Sequence, residues 1–168
     1  SAMSEGCTIG ALAAVNAAGS VVVGNGPWFW AAPYERDGEY GGRGFPSVLP
    51  DGALVPVTKG SPRMSTTLVV VATDARLNKA EAKRLAVMAQ SGLSTAIQPV
   101  HTPLDGDVVF AAATGRVPLA DPVLGMAHLG AVAAHTVARA IARAVYDAEA
   151  LPFAGALPSW RDRFARGS

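Results

Sequence analysis

Cysteine is almost absent from this sequence. Cys7 is the single cysteine among 168 residues, so no disulfide can form within the chain. Together with three scattered histidines it offers none of the paired spacings that a zinc site requires, and we expect neither a metal ion nor another cofactor. Disulfides belong to oxidising compartments, and their exclusion here predicts a cytoplasmic protein.

An excess of charge of one sign is also lacking. Fourteen basic and 13 acidic residues leave a formal net charge of +1, which gives no electrostatic footprint for nucleic acid or for an anionic membrane surface. The apolar stretch at residues 8–23 is interrupted by Asn16, Gly19 and Ser20, and no basic region precedes it as in a signal peptide. We therefore predict no nucleic-acid partner, no membrane span and no export signal.

Hydrophobic residues make up half of the chain, which is sufficient for the core of one domain. We expect residues 1–168 to form that single domain. Two short β-rich segments, 8–15 and 20–23, predict a pair of buried strands joined by a turn. The composition then changes to Gly, Pro and aromatic residues over residues 24–63, which is typical of a long loop.

Two longer apolar runs predict further strands. Residues 68–75, LVVVATDA, are apolar without alternation, which predicts a strand covered on both faces at the centre of a sheet. Residues 107–115, DVVFAAATG, predict another buried strand.

Helix signals follow each of these runs. Asn78, with Glu81 three residues later, predicts a capped helix start, and Gly92 can end that helix. Asp121 before a proline predicts the start of a long helix of small residues that continues to roughly Glu149. Strands interleaved with helices predict an α/β (α+β) fold, in which helices cover the sheets.

Two threonines, Thr66 and Thr67, stand at the start of the apolar strand. β-branched residues suit strands, so an ordinary strand start is one interpretation. The other is that one hydroxyl is a nucleophile, which needs a base because a free alcohol is a poor nucleophile at neutral pH. If the preceding peptide bond were cut, the new α-amine, with a reference pKa of about 7.7 to 8.0, could be that base.

Four segments together resemble one peptidase family, which contains the L-aminopeptidase/D-esterases, the β-peptidyl aminopeptidases and the nylon-oligomer (6-aminohexanoate oligomer) hydrolases. The resemblance implies a layered αββα sandwich of the type shared with ornithine acetyltransferases. It also implies that the chain is an N-terminal nucleophile hydrolase that cleaves itself. The segments are TIGALAAVNAAGS at 8–20, TTLVVVATDARLNKAEAKRLAVMAQSGL at 66–93, PVHTPLDGDVVFAAATG at 99–115, and the long Ala-rich helix.

The position of the self-cleavage also follows from the resemblance. Family members are cut immediately before a Ser or Thr that lies seven residues before the Thr of an ATDA-like strand ending. Counting back from Thr73 gives Thr66. The resemblance therefore predicts a cut between Ser65 and Thr66, with Thr66 as nucleophile and new amino terminus.

The resemblance assigns three further site residues. Asn16 stands where the family places an amide that holds the oxyanion, although an Asn after an apolar run is also a common turn residue. Asp105 and Asp107 flank a glycine, and similar aspartates network with the nucleophile in nylon-hydrolase-like members. Without the resemblance, the D-G pair indicates a solvated turn.

The three histidines invite a Ser-His or metal interpretation that we do not adopt. His128 and His135 lie seven residues apart on the predicted long helix, where we expect them to pack or cap. His101 precedes the aspartate pair, and we expect it to order that loop.

Aromatic residues concentrate in the predicted loop, in PWFW at 27–30 and at Tyr34 and Tyr40. They could line an apolar substrate cleft or bury a subunit contact. We favour the contact, and with it a homo-oligomer.

These features predict an N-terminal threonine amidohydrolase or peptidase that acts on small amides or peptides through an acyl-enzyme on Thr66. Thr at the cut and TPLDGD look closer to the nylon-oligomer hydrolases than to the aminopeptidases. Acyl transfer to an amine, as in ornithine acetyltransferases, is one alternative, and a non-catalytic assembly module is another. Because family precursors carry a long amino-terminal region with a catalytic Lys or Tyr, we expect this chain to be the carboxy-terminal part of a larger precursor.

Overall fold

A computed structural model describes residues 1–56 and 65–164, and its central feature is a four-stranded mixed sheet. The strands lie in chain order, with antiparallel pairing from β1 to β2 and from β2 to β3 and parallel pairing from β3 to β4. Their bounds are Ala2–Ser4 for β1, Cys7–Asn16 for β2, Thr66–Ala75 for β3 and Val108–Val117 for β4. The α+β class is therefore confirmed, and β3 lies inside the sheet as expected.

The predicted strand at residues 20–23 is wrong. Only isolated bridges form there, from Ser20 to Gln98 and from Val22 to Phe29. The reason lies at Gly19, where a Cβ would stand 2.0 Å from the Pro99 carbonyl oxygen. The chain therefore turns against the loop before β4 instead of continuing along the sheet, and residues 57–63 of the predicted long loop lie outside the described residues.

The first helix begins where the sequence indicates, whereas the long helix begins at Leu124, three residues after the predicted cap, and the first helix ends before Gly92. Asn78 and Glu81 form a complete capping box at the first helix, and the Asp121 carboxylate accepts the N–H groups of Val123 and Leu124 at 2.7 Å, just before the long helix. Their bounds are Lys79–Ala89 for α1, Ser91–Ala96 for α2, Leu124–Asp147 for α3 and Trp160–Phe164 for α4, with a 3-10 turn at Ala32–Tyr34. No helix of the described residues is long and apolar enough to cross a membrane.

Helices α1, α2 and α3 pack together over one face of the sheet. Gly92 in α2 allows a close approach to α3, because a Cβ at this position would lie 2.3 Å from the carbonyl oxygen of Ala134 in α3. Their buried side chains meet the inward residues of β2 and β3, among them Ile9, Val69 and Val71. This helix-covered face forms the core of the chain.

The opposite face of the sheet, termed here the open face, is not covered by the described residues. Large apolar side chains on it are 43 to 75% exposed, namely Leu12, Leu68, Val70 and Phe110. The expectation that β3 is covered on both faces is therefore wrong for the described residues, because helices α1, α2 and α3 all lie on one side. The described residues supply one sheet and one helical layer of the expected αββα sandwich.

Two rings of the aromatic loop are buried within the chain, so they are not available for the predicted subunit contact. Phe29 and Tyr40 are 3% and 2% exposed, and Phe29 stacks on Trp160 of α4 with ring centroids 5.5 Å apart. Trp30 instead lines a cavity of about 290 Å³ with Gln98 and others. For Phe29 and Tyr40 both earlier interpretations are therefore wrong, since these rings belong to the core.

A buried ion pair ties the same loop to α3. The Arg139 guanidinium forms two hydrogen bonds with the Glu39 carboxylate, and the one from Nη2 to Oε2 spans 2.9 Å. Their side chains are only 10% and 15% exposed. Each charge is therefore largely removed from water, at a cost that the partner charge mainly offsets.

We expect Arg139→Ala to lower the free energy of unfolding by about 3 kcal/mol, because it leaves the Glu39 carboxylate buried without its cation. Arg143 offers a matched control, since it lies 3.8 Å from the same carboxylate but is 53% exposed. Arg143→Ala should cost less than about 1 kcal/mol. Urea unfolding at neutral pH measures both, and equal losses would contradict the argument.

The same pair predicts a dependence of stability on pH. Burial raises the pKa of Glu39, but the hydrogen bonds and the charge of Arg139 outweigh it and hold that pKa below its usual value. Such a carboxyl stabilises the fold above its unfolded pKa of about 4.3, and the contribution is lost as the pH falls through the lowered folded pKa. The unfolding free energy of Glu39→Gln should therefore change less on acidification than that of the unmodified chain.

Candidate active site

Thr66 opens β3, and the strand register sets it directly opposite Asn16, the last residue of β2. Directly opposed residues of an antiparallel pair lie on the same face of a sheet. Burial alternates along β3, with Thr67 buried and Leu68 exposed, so Thr66 belongs to the open face. The structure therefore brings the predicted nucleophile and the predicted oxyanion amide to one place on that face.

Hydrogen bonds hold the backbone on the amino-terminal side of Thr66 closely. Ser65 forms a parallel bridge with Asp105. Its N–H donates to the Leu104 carbonyl oxygen at 3.3 Å, and its own carbonyl oxygen accepts the Gly106 N–H at 2.8 Å. The Thr66 hydroxyl donates to the same Ser65 oxygen at 2.8 Å. A hydroxyl thus lies beside a carbonyl that a backbone N–H already polarises.

Gly106 supplies the space for that hydroxyl. A Cβ at this position would lie 2.9 Å from Thr66 Oγ1. The strand register explains the contact, because Leu68 pairs with Val108 and the parallel pairing extends back to Gly106 beside Thr66. Any side chain here would compete with the predicted nucleophile.

Asp105 holds the backbone around the site. Its Oδ1 accepts the Ala18 N–H at 3.0 Å, and its Oδ2 accepts the N–H and the hydroxyl of Thr102 at 3.0 and 2.8 Å. Burial raises the pKa of the Asp105 carboxyl, but these hydrogen bonds and the nearby His101 outweigh it and hold the pKa below its usual value. Asp105 is therefore an ionised tie between the end of β2 and the loop before β4.

Asp107 makes a second such tie. Its Oδ1 accepts the Thr67 N–H at 2.8 Å, and its side chain is only 2% exposed. The other carboxylate oxygen faces His101 Nδ1 at 3.3 Å, an ion-pair distance without the alignment of a hydrogen bond. The Asp107 carboxylate therefore binds the backbone next to Thr66, and the Asp105 carboxylate binds the end of β2 and its own loop. The Thr66 hydroxyl itself donates to a carbonyl oxygen.

The histidines behave as structural residues. His101 lies in the aspartate loop with a left-handed backbone, at φ 55°. On α3, His128 contacts Glu5 at 2.7 Å, and the His135 ring lies 4.5 Å from that of Tyr34. In the described part of the chain, no group of three or more His, Cys, Asp or Glu side chains could hold a metal ion.

Three features of this site escape the sequence analysis: the Gly106 N–H, the Gly106 hydrogen atoms that make room for Thr66, and the Leu104 carbonyl. Two of these features are backbone groups and the third is the absence of a side chain, and residue type alone predicts none of them. The D-G-D pattern at residues 105–107 indicates a role for the two carboxylates but not for the glycine between them.

Comparisons with known proteins identify the family. A model of peptidase family S58 matches residues 1–156. An uncharacterized aminopeptidase of Mycobacterium tuberculosis is 38% identical over 96% of this chain and 49% of its own length. A 6-aminohexanoate-oligomer endohydrolase of Kocuria sp. is 35% identical over 39% of this chain and 18% of its own.

Among solved structures, a Burkholderia sp. beta-aminopeptidase matches with a TM-score of 0.49 and 26% identity, covering 62% of this chain and 33% of that one. The chain spans about half the length of the curated mycobacterial relatives that it matches. Since the family model spans nearly all of the sequence and the M. tuberculosis relative is similar over almost all of this chain, the chain belongs to peptidase family S58.

Proposed function

We propose that this chain forms the nucleophile-bearing part of a self-processing N-terminal threonine amidohydrolase. The observation that carries the proposal is the arrangement at Ser65, whose carbonyl oxygen accepts both the Thr66 hydroxyl and the Gly106 N–H at 2.8 Å. The reacting oxygen and the carbonyl it would attack are already neighbours, which removes most of the entropic cost of bringing them together.

Self-cleavage begins when Thr66 Oγ attacks the Ser65 carbonyl carbon. The C–N bond then breaks, the hydroxyl proton passes to the departing Thr66 nitrogen, and Ser65 is left as an ester on Thr66 Oγ. Water hydrolyses this ester and leaves a Ser65 carboxylate and a free Thr66 α-amine. Negative charge that develops on the Ser65 oxygen is stabilised by the Gly106 N–H, which needs no proton transfer to act.

Turnover repeats the same chemistry on a substrate amide. The Thr66 α-amine takes the hydroxyl proton as Oγ attacks, then delivers it to the leaving amine, and water releases the acyl group. Asn16 serves as a further oxyanion donor from the opposing strand. Asp107 fixes the backbone at Thr67, and Asp105 fixes the end of β2 and the loop before β4. Their negative charges orient the new ammonium group.

The substrates of this reaction are small linear amides or peptides. The names of the relatives support this class, since both aminopeptidases and 6-aminohexanoate-oligomer endohydrolases occur among them. We propose that the chain works as part of a longer protein, with processed subunits in a homo-oligomer. Its cytoplasmic location stays a prediction that depends on the single cysteine.

The direct test is the intact mass of the purified, denatured protein, with amino-terminal sequencing of any fragment. We expect two fragments, the second beginning Thr-Thr-Leu-Val, because the hydroxyl and the carbonyl are already in contact. An uncut chain, in a preparation that contains everything encoded upstream, would contradict the proposal.

One observation favours a second candidate, a non-catalytic assembly module. The open face exposes apolar side chains such as Leu12, at 75%, and Phe110, at 58%, and exposed apolar patches mark interaction surfaces. An assembly module predicts an uncut chain with background amidase activity, so the same mass measurement separates the two. Replacing water by ornithine-like amines in the activity assay separates hydrolysis from acyl transfer.

A further inference from the structure

A cavity beside Trp30, termed here the Trp30 cavity, has a volume of about 290 Å³. Its wall residues come from several parts of the chain, namely the segments at 20–25 and 51–55, Trp30, Gln98, and Arg163 of α4. None of the residues that bind the backbone of Ser65 lines it. The cavity is therefore separate from the proposed active site.

Packing against the core positions the walls of the Trp30 cavity. The Trp30 N–H donates to the Val21 carbonyl oxygen at 3.1 Å. Ala53 is 8% exposed, and a Cβ at Gly24 would lie 3.6 Å from it, so the loop at 51–55 packs on the segment that follows β2. Trp160 buries its ring and anchors α4. The cavity is thus formed before any ligand enters it.

Two side chains of opposite charge line this cavity without forming an ion pair with each other. The Arg163 guanidinium lies 4.8 Å from the centroid of the Phe164 ring, and no carboxylate within residues 1–56 and 65–164 pairs with it. The Asp51 carboxylate likewise has no cation and no hydrogen-bond donor among those residues. Both charges are therefore free to bind the opposite charges of a ligand.

We propose that the Trp30 cavity is a binding site for a free α-amino acid with a large apolar side chain. Arg163 binds the carboxylate of the amino acid, Asp51 binds its ammonium group, and the Trp30 ring contacts the atoms between them. This binding does not depend on Thr66 chemistry, so the proposal and the proposed function can fail separately.

A second cavity adjoins the first and accounts for the apolar side chain of the ligand. Its volume is about 260 Å³, and it shares the wall residues Trp30 and Ala53 with the Trp30 cavity. The residues that it adds are apolar, namely Leu54, Pro56 and Pro99. The charged groups of an amino acid therefore lie in one cavity, while its side chain enters the other and leaves water.

The experiment is isothermal titration calorimetry of the full chain with three probes that it cannot hydrolyse. They are L-phenylalanine, 2-phenylethylamine, which lacks the carboxylate, and 3-phenylpropanoate, which lacks the ammonium group. We expect a Kd below about 1 mM for L-phenylalanine and binding at least about tenfold weaker for each of the others. A Kd for L-phenylalanine above that value, or equal affinities for the three probes, would overturn the proposal.

Variants of the two charged residues locate the bound amino acid. Arg163→Gln should weaken L-phenylalanine at least about tenfold and bind it within about twofold of 2-phenylethylamine, because the carboxylate no longer has a partner. Asp51→Asn should likewise bind L-phenylalanine and 3-phenylpropanoate within about twofold of each other. Unchanged affinity for L-phenylalanine in either variant would place the ligand elsewhere and overturn the proposal.

Arg161→Gln is the matched control. Arg161 lies on the same helix but pairs with Asp147 at 2.8 Å and does not line the cavity, so this variant should bind L-phenylalanine normally. An equal loss in Arg161→Gln would indicate a general effect of charge and contradict the proposal. Thermal unfolding shows whether each variant is folded, and the three probes on the unmodified chain decide the matter without any variant.

Discussion

We expect Thr66→Ala to remain a single uncut chain and to lose amidase activity by at least about 10³-fold, because it removes the atom that forms the acyl bond in both reactions. Thr66→Ser keeps that oxygen and should still be cut. The measurement combines intact mass with hydrolysis of L-alanine p-nitroanilide. Retained activity in the purified Thr66→Ala protein would contradict the mechanism.

Thr67 supplies the matched control for this variant. Its hydroxyl is buried and has no hydrogen-bond partner among the described residues, while its backbone N–H binds Asp107. Thr67→Val has nearly the same shape and keeps that N–H, so cleavage and hydrolysis should stay within about twofold. A loss equal to that of Thr66→Ala would mean that the adjacent hydroxyl is the nucleophile.

The sequence predicts the strand and the helix that follow Thr66 well, because their signals are local. A strand start, a capping box and a buried apolar run depend on neighbouring residues, and the bounds of β3 and α1 follow the pattern closely. The position of Asn16 opposite Thr66 is not local, yet it follows once two strands of known length pair in antiparallel fashion.

What the sequence could not predict depends on contacts between distant segments. The resemblance predicts that Asp105 and Asp107 network with the nucleophile, which stays a prediction, and their oxygens also accept backbone N–H groups of Ala18 and Thr67, which the sequence does not indicate. Residue type identifies a carboxylate, but it does not indicate which hydrogen-bond donor of a distant segment will bind to it. The apolar run in β3 likewise indicates burial on both faces, but it carries no information on which segment covers Leu68 and Val70.

The second large effect is expected at Gly106, a residue with no side chain to take part in chemistry. In Gly106→Ala the new Cβ would lie 2.9 Å from Thr66 Oγ1, which is closer than a methyl group and a hydroxyl tolerate. The obstructing atom belongs to a side chain on the open face, so rotation of Thr66 relieves the clash without moving the backbone. The variant therefore keeps the fold, but the Thr66 hydroxyl loses its contact with the Ser65 carbonyl oxygen.

Gly106→Ala should slow self-cleavage by about 10²-fold, since small displacements of a nucleophile have effects of that order. Gly10, on β2, is the control, because a Cβ there meets nothing within 4 Å, and Gly10→Ala should cleave normally. The rate is followed by intact mass after purification, beside the thermal midpoint of each precursor. A folded Gly106→Ala protein that cleaves at the normal rate would show that the hydroxyl does not need this space, and the Ser65 contact would then no longer support the proposed cut.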